Sequence, residues 1–182
     1  MYKKYCLLRA KHKIICYEEK DFQGKSYECT GHADDLQCFI SRCNSFKVER
    51  GRWVLYEFKS YTGRQMLLGP SVFKDFGLGF NFRFESCKVV KNTKGPYKQK
   101  LFAYAGFQGK SMELTEDMIS TQEKWPSQKV MSCKVLEGSW IFFEEPNYSG
   151  CYYVLDRGDY QYSPDWGSQG STVGSIRRIM EL

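Results

Sequence analysis

The chain has 182 residues, 42% of them hydrophobic and 26% charged, a balance that fits one ordinary globular domain or two small ones and excludes intrinsic disorder. Its formal net charge is +6, but acidic residues alternate with Lys and Arg along most of the chain, which argues against a nucleic-acid-binding surface. No apolar run approaches the roughly 18 residues that a membrane-spanning helix needs. Aromatic residues make up 16% of the chain, a share that favours strands over helices.

The first predicted element is a basic arm over residues 1–12. The start of the chain carries Lys, Arg and His without an acidic residue. Its apolar stretch, Tyr5 to Leu8, is far shorter than the core of a signal peptide, and no small-residue cleavage site follows. We therefore expect a cytoplasmic protein whose arm is a solvated tail, an address or a surface-binding segment.

The eight cysteines are expected to be reduced thiols in the cytosol. No two of them form a Cys-x-x-Cys pair, and the only histidines are His12 and His32, so a zinc site lacks suitable ligands. Free cysteines commonly behave as small buried hydrophobic residues. We therefore predict no metal site and no cofactor.

Four segments with one shared spacing follow the arm. In each, an aromatic residue is followed five positions later by a second aromatic residue and, after one more residue, by a glycine; a serine that opens a short strand-like run comes 21 to 25 residues after the glycine. The signature residues, in chain order, are Tyr17, Phe22, Gly24 and Ser45; Tyr56, Tyr61, Gly63 and Ser86; Phe102, Phe107, Gly109 and Ser132; and Phe143, Tyr148, Gly150 and Ser175.

The pattern of likeness among the four copies indicates a duplicated domain. The first and third copies share the run FQGKS, whereas the second and fourth share Gly-x-Trp ahead of the signature. Between the second and third copies, residues 91–98 (KNTKGPYK) are polar and contain Gly95-Pro96, as in a linker. The sequence therefore predicts domains over residues 13–90 and 99–182, with two repeats in each.

The signature has a physical interpretation as a folded hairpin. If the hairpin folds back over its first strand, the two aromatic rings can pack together. The glycine then adopts a positive φ, and the serine hydroxyl bonds backbone groups of the turn. Two such repeats supply about eight strands, so the predicted fold class is all-β, with two Greek-key β-sandwich domains of two Greek-key motifs each.

These motifs resemble the βγ-crystallin superfamily, whose Greek-key signature has this spacing. The runs FQGKSYEC, SRCNSFKVE and SCKVLEGSWIFFEEPNYSG and the ending SIRRIMEL are similar to vertebrate lens γ-crystallins of the γS/γM type, and the similarity covers about Lys13 to Leu182. The resemblance implies a structural constituent of the eye lens, a highly soluble, long-lived refractive protein without enzyme activity. It also implies a monomer that makes weak contacts with itself and other crystallins and binds neither nucleic acid nor membrane.

The resemblance further implies that the two domains pair through an apolar patch. Alignment of the motifs predicts the interface residues Val54, Leu67 and Val90 in the first domain and Ile141, Val154 and Ile179 in the second. Residues of the sandwich cores would look the same in the sequence, so both interpretations stay open at this point.

Three features depart from the γ-crystallin pattern. The basic arm is longer than usual, and it contains Cys6, which could cross-link chains on oxidation. Lys outnumbers Arg, 18 to 9, where lens γ-crystallins favour Arg. Phe76 stands where the family has the second tryptophan of the first domain, and Trp125 is additional.

A calcium-binding member of the superfamily is one alternative. Such domains coordinate calcium through a run of Asn or Asp and Ser or Thr oxygens. Asn81 fits the first position of that pattern in the second repeat, but Phe82 and Glu85 do not, and Ile40 and Ser41 replace the ligands in the first repeat. We therefore expect no calcium site.

Two further alternatives are an enzyme and a non-lens relative. Two histidines leave no plausible Ser-His-Asp set, and adjacent carboxylates such as Glu18 and Glu19 point to opposite faces of a strand, so we expect no catalysis. A stress-related relative that docks its basic arm on an acidic partner has the same fold, and tissue expression separates it from a lens protein.

Overall fold

The computed structural model describes residues 10–76, 83–125, 127 and 129–181. Cys6, Asn81 and Phe82 therefore lie outside the described residues. The predicted basic arm also lies outside them, except for residues 10–12. The described part of the chain forms strands joined by turns and short 3₁₀ segments. The strands are β1 (Lys13–Tyr17), β2 (Ser26–Cys29), β3 (Ser45–Arg50), β4 (Arg52–Phe58), β5 (Thr62–Leu68), β6 (Ser71–Phe73), β7 (Ser86–Val90), β8 (Lys98–Tyr104), β9 (Gln108–Leu114), β10 (Ser132–Glu137), β11 (Trp140–Glu145), β12 (Ser149–Leu155), β13 (Gly158–Tyr160) and β14 (Ser175–Arg178).

The strands form four sheets that repeat one plan twice. The four-stranded sheets have the orders β2-β1-β3-β6 and β9-β8-β10-β13, and the three-stranded sheets have the orders β5-β4-β7 and β12-β11-β14. In each four-stranded sheet the last strand comes from the following repeat, which is a Greek-key crossover. The predicted fold class, all-β with two Greek-key β-sandwich domains, is confirmed.

Backbone contacts divide the chain into two compact units. The first unit comprises Met1–Tyr61 with Leu68–Val89, and the second comprises Thr62–Leu67 with Val90–Leu182. Within the second unit, the Gln65 side chain donates to the Trp166 carbonyl (3.1 Å) and accepts from the Val154 amide (2.9 Å). The domain boundaries at 13–90 and 99–182 stay a prediction.

The core of the second unit is built from aliphatic residues and three tryptophans. Trp125, Trp140 and Trp166 are all at most 3% exposed, and the Trp166 ring meets Phe142 edge to face at 5.5 Å. The indole N–H of Trp125 donates to the Lys129 carbonyl (2.8 Å), so the additional tryptophan is buried with its polar atom satisfied.

The core of the first unit contains a cluster of phenylalanines. The Phe46 ring lies 4.6 Å from Phe73, 5.0 Å from Phe76 and 5.5 Å from Phe84. Phe76, which replaces the expected tryptophan, is only 2% exposed. The edge-to-face contacts of Phe76 with Phe46 and Phe84 are of a kind that adds about 0.5–1.5 kcal/mol per pair to simple burial.

Gln99 in β8 is a buried polar residue, and we expect its replacement by an apolar residue to stabilise the second unit. Its side chain is 0% exposed, and neither amide atom has a hydrogen-bond partner among the described residues. The matching residue of the first unit is Ile14, since Ile14 faces Cys29 as Gln99 faces Leu114. We expect Gln99→Leu to raise the free energy of unfolding of the second unit by about 1–2 kcal/mol, because an uncompensated amide is costly to bury.

Urea denaturation of the two proteins measures this difference. Gln99→Glu is the matched control, and we expect it to destabilise the second unit, because it adds a charge at the same buried position. A Gln99→Leu protein less stable than the parent would contradict the expectation and show that the amide forms bonds that leucine removes.

Candidate functional site

The four signature segments form four hairpins that share one geometry. Each hairpin contains two aromatic rings and a glycine, and a serine from a later strand bonds to its turn. These four residues together are called a latch. The structure brings the two rings together in all four, with interplanar angles between 57° and 65°. The distances between ring centroids are 5.5 Å for Tyr17–Phe22, 5.7 Å for Tyr56–Tyr61, 5.6 Å for Phe102–Phe107 and 5.7 Å for Phe143–Tyr148. These tilted arrangements match the preferred packing of aromatic pairs.

The turn of each latch has left-handed backbone at the second aromatic residue as well as at the glycine. The glycines Gly24, Gly63, Gly109 and Gly150 have φ between 77° and 81°. The second aromatic residues Phe22, Tyr61, Phe107 and Tyr148 have φ between 56° and 63°. A bulky residue in this region is unusual and strained, so each latch holds its second ring against a local backbone cost.

The latch serine bridges the two ends of the turn. Each of the four serines is 0% exposed. Its hydroxyl accepts from the amide of the second aromatic residue and donates to the carbonyl three residues earlier in the turn. For Ser45, Ser86, Ser132 and Ser175, the amide distances are 3.0, 3.1, 3.0 and 2.9 Å and the carbonyl distances are 2.5, 2.6, 2.6 and 2.6 Å.

A cationic residue covers every latch, a feature that the sequence interpretation missed. It stands two positions after the serine, in the runs SFK, SCK, SCK and SIR. The Nζ atoms of Lys47, Lys88 and Lys134 lie 4.1, 4.2 and 4.4 Å from the second ring, and the guanidinium carbon of Arg177 lies 5.1 Å from it. A cation at this distance is attracted to the face of an aromatic ring. The repeated Ser-x-Lys/Arg spacing was the feature of the sequence from which this contact could have been predicted.

Removal of a latch serine is expected to destabilise one unit only. We expect Ser45→Ala to lower the free energy of unfolding of the first unit by about 1–3 kcal/mol, because it leaves the Phe22 amide and the Glu19 carbonyl without their partner. Hydrogen–deuterium exchange resolved by peptide measures each unit separately. Ser41→Ala is the matched control with an expected change below about 0.5 kcal/mol, since Ser41 makes one exposed bond, to Glu18. Equal effects of the two substitutions would contradict the role of the bridge.

The six residues of the predicted domain interface differ in burial. Val54, Val90 and Ile179 are at most 2% exposed, Ile141 and Val154 are 8–9% exposed, and Leu67 is half-buried. The three residues from the second domain are not members of the core cluster of the second unit. Their pairing with the first three stays a prediction.

The side chains considered for metal binding or catalysis are engaged elsewhere. Among the described residues, no group of three or more His, Cys, Asp or Glu side chains is placed to hold a metal ion. Glu19 forms an ion pair with Arg42, and Glu144 accepts from the Tyr153 hydroxyl at 2.8 Å. His32 accepts the Val89 amide through Nδ1 (3.1 Å). No helix in the described ranges is long and apolar enough to cross a membrane.

Comparisons with known proteins identify one family. The family model for beta/gamma crystallin matches residues 13–90 and 98–179. Gamma-crystallin-1 of Xenopus laevis is 41% identical over 169 residues, which cover 92% of this chain and 97% of that protein. Gamma-crystallin S of Cyprinus carpio is 42% identical over 172 residues, which cover 93% of this chain and 99% of that protein.

A solved structure is also similar. A beta gamma crystallin from Ciona intestinalis is 28% identical, with a TM-score of 0.43, and the match covers 44% of this chain and 98% of that one. The family model spans most of the chain, and the vertebrate relatives exceed 40% identity along nearly their whole length. This chain therefore belongs to the beta/gamma crystallin family.

Proposed function

We propose that this protein is a structural constituent of the eye lens, a refractive γ-type crystallin without enzyme activity. The observation that carries the proposal is the set of four complete latches in a chain that aligns with vertebrate γ-crystallins along nearly its whole length. A refractive protein acts through the refractive index and solubility of its concentrated solution. Both depend on the amino-acid composition and on the stability of the folded state, and neither needs a catalytic cleft.

The composition suits a refractive role. Aromatic residues make up 16% of the chain, and there are eight cysteines and six methionines. These side chains are highly polarizable, and polarizability raises the refractive index per unit mass. Mixed surface charge with a net value of +6 favours solubility, because like-charged molecules repel one another.

The proposal includes a location and an assembly state. We place the protein in the cytoplasm as a monomer that makes weak contacts with itself and with other crystallins. Neither nucleic acid nor membrane is a proposed partner, since Lys and Arg are interspersed with acidic residues along most of the chain.

The decisive experiment combines expression with solution optics. We expect abundant transcript in lens and, for the purified protein, light scattering that rises less than linearly with concentration, as repulsive monomers require. Gly109→Val, which opens the third latch, is the matched control and should scatter more at equal concentration. Transcript absent from lens but present in another tissue would overturn the lens role and favour the non-lens alternative.

A further inference from the structure

The first unit contains a cluster of four thiols that the second unit lacks. Cys16, Cys29 and Cys87 are at most 3% exposed, and Cys43 is half-buried beside them. The matching positions of the second unit hold aliphatic members of its core cluster. By strand register and by distance from the latch serines these are Leu101, Leu114, Ile176 and Val130.

The aliphatic residues show that the fold does not need thiols at these positions. In both units the same bridge is present: Ala33 pairs with Cys87 in the first, as Met118 pairs with Ile176 in the second. Packing alone therefore gives no reason for four cysteines in one core. What distinguishes the first unit from the second is the redox chemistry that thiols have and aliphatic side chains lack.

Cys29 and Cys87 are held in direct contact. Their Sγ atoms lie 3.9 Å apart, and the Cys29 thiol also contacts the Gly31 carbonyl at 3.0 Å. The backbone fixes the pair, because Ala33 and Cys87 exchange two hydrogen bonds of 2.9 Å across the bridge. The contact with Cys87 lowers the pKa of Cys29 to about 7, and the same contact together with burial raises the pKa of Cys87.

We propose that Cys29 and Cys87 form a reversible dithiol–disulfide site that consumes one equivalent of a small hydroperoxide such as hydrogen peroxide. The Cys29 thiolate attacks one peroxide oxygen, the O–O bond breaks, and Cys29 becomes a sulfenic acid while the departing hydroxide takes a proton to form water. Cys87 then attacks the Cys29 sulfur, the S–O bond breaks, and a second water leaves with the Cys87 proton. Two thiols lose two electrons in total, and the peroxide is reduced to two waters.

The order of attack follows from the surroundings of each thiol. A hydrogen bond with Cys43 and burial raise the pKa of Cys16, so Cys16 is a poor nucleophile at neutral pH. The pKa of Cys29 is lowered, and the Cys87 sulfur lies in contact with it at 3.9 Å. The disulfide forms after the two sulfur atoms move about 2 Å closer, to the usual bond length.

A cavity reaches the edge of the cluster, and neither Cys29 nor Cys87 is among its lining residues. The cavity has a volume of about 210 Å³ and is lined by Cys16 and Cys43 together with Arg42, Asn44 and Arg83. Cys16 also lies within electrostatic reach of both Cys29 and Cys87. Since a water molecule occupies about 30 Å³ of liquid, the cavity admits a molecule as small as hydrogen peroxide.

The site goes beyond the proposed refractive role, since it acts stoichiometrically and is renewed by an external thiol. Peptide mapping of the full-length protein tests it directly. After treatment with one equivalent of hydrogen peroxide and blocking of free thiols, we expect a non-reduced peptide pair that joins Cys29 to Cys87 and two fewer free thiols per chain. Dithiothreitol should restore both thiols.

Matched variants separate the site from oxidation of the other cysteines. In a background with Cys6, Cys38 and Cys151 replaced by serine, we expect uptake of one peroxide equivalent. The variants Cys29→Leu and Cys87→Ile, which carry the residues of the second unit, should lose that uptake and the cross-link while near-ultraviolet circular dichroism stays that of a folded protein. Cys133→Val, which removes a buried thiol of the second unit, should keep both.

Three outcomes would overturn the proposal. They are a disulfide between Cys16 and Cys43 as the main product, Cys29 recovered as sulfinic acid, and both Cys29 and Cys87 recovered as free thiols while the exposed Cys38 and Cys151 are oxidised. The mapping is done on the natural chain, so a variant that fails to fold does not decide the result.

Discussion

Replacing Phe46 by alanine is expected to lower the free energy of unfolding of the first unit by about 3–5 kcal/mol, the usual cost of emptying a buried phenylalanine site. Phe46 is 0% exposed and contacts the rings of Phe73, Phe76 and Phe84. The side chain lies at the centre of this cluster, so its neighbours cannot all move in to fill the space. Hydrogen–deuterium exchange resolved by peptide measures the loss in the first unit, since the fluorescence of Trp53 overlaps that of the three tryptophans of the second unit.

Phe39 provides the matched control for this experiment. It is also a phenylalanine of the first unit with a ring contact, to Tyr27 at 4.5 Å, but it is 46% exposed. We expect Phe39→Ala to cost below about 1.5 kcal/mol, the value of an aromatic pair contact without burial of the whole ring. Similar losses for Phe46→Ala and Phe39→Ala would mean that the phenylalanine cluster is not the core of this unit.

The cluster also explains why the first unit tolerates Phe76. In the second unit the matching positions hold Cys133 and Trp166, a small residue with a large one, and both belong to the core cluster. In the first unit Phe46 and Phe76 divide the same volume more evenly and lie 5.0 Å apart. The missing tryptophan was visible in the sequence, but its compensation at Phe46 was not, because the two positions are distant in the chain.

The latches were largely predictable because their geometry is local to a repeated spacing. Ring contact, positive φ at Gly109 and the bonds of Ser132 to the turn all follow from one hairpin folding over its own strand. Left-handed backbone at Phe107 was not predictable, since the residue type disfavours that conformation and only the completed hairpin imposes it. Repetition of the spacing four times made the fold class secure.

Long-range features could not be predicted from spacing. The contact of Cys29 with Cys87 joins residues 58 positions apart, and nothing in the sequence pairs these two among eight cysteines. The polar Gln99 side chain on the core face of β8 is also hidden, because the neighbouring Lys98 and Lys100 make the whole run look exposed. In both cases the sheet, and not the local pattern, decides where the side chain lies.

Replacing Gly109 by valine is expected to destabilise the second unit by about 3–5 kcal/mol. Two costs add: a β-branched residue is strained at a φ of 79°, and its Cβ would overlap the Tyr104 ring, with Cε2 at 2.8 Å. Hydrogen–deuterium exchange should rise across β8, β9 and β10, which meet at this latch, while peptides of the first unit stay unchanged.

Gly106, three residues away in the same turn, separates backbone strain from steric overlap. Its φ is 66°, but a Cβ there meets nothing within 4 Å, and the matching positions Asp21, Ser60 and Asn147 hold non-glycine residues at φ between 52° and 59°. We expect Gly106→Asn to cost below about 0.5 kcal/mol and Gly106→Ala about 1 kcal/mol. A loss of stability for Gly109→Val no larger than that for Gly106→Ala would mean that the Tyr104 ring moves aside freely. In that case the third latch would not require the close approach of Gly109 to the Tyr104 ring.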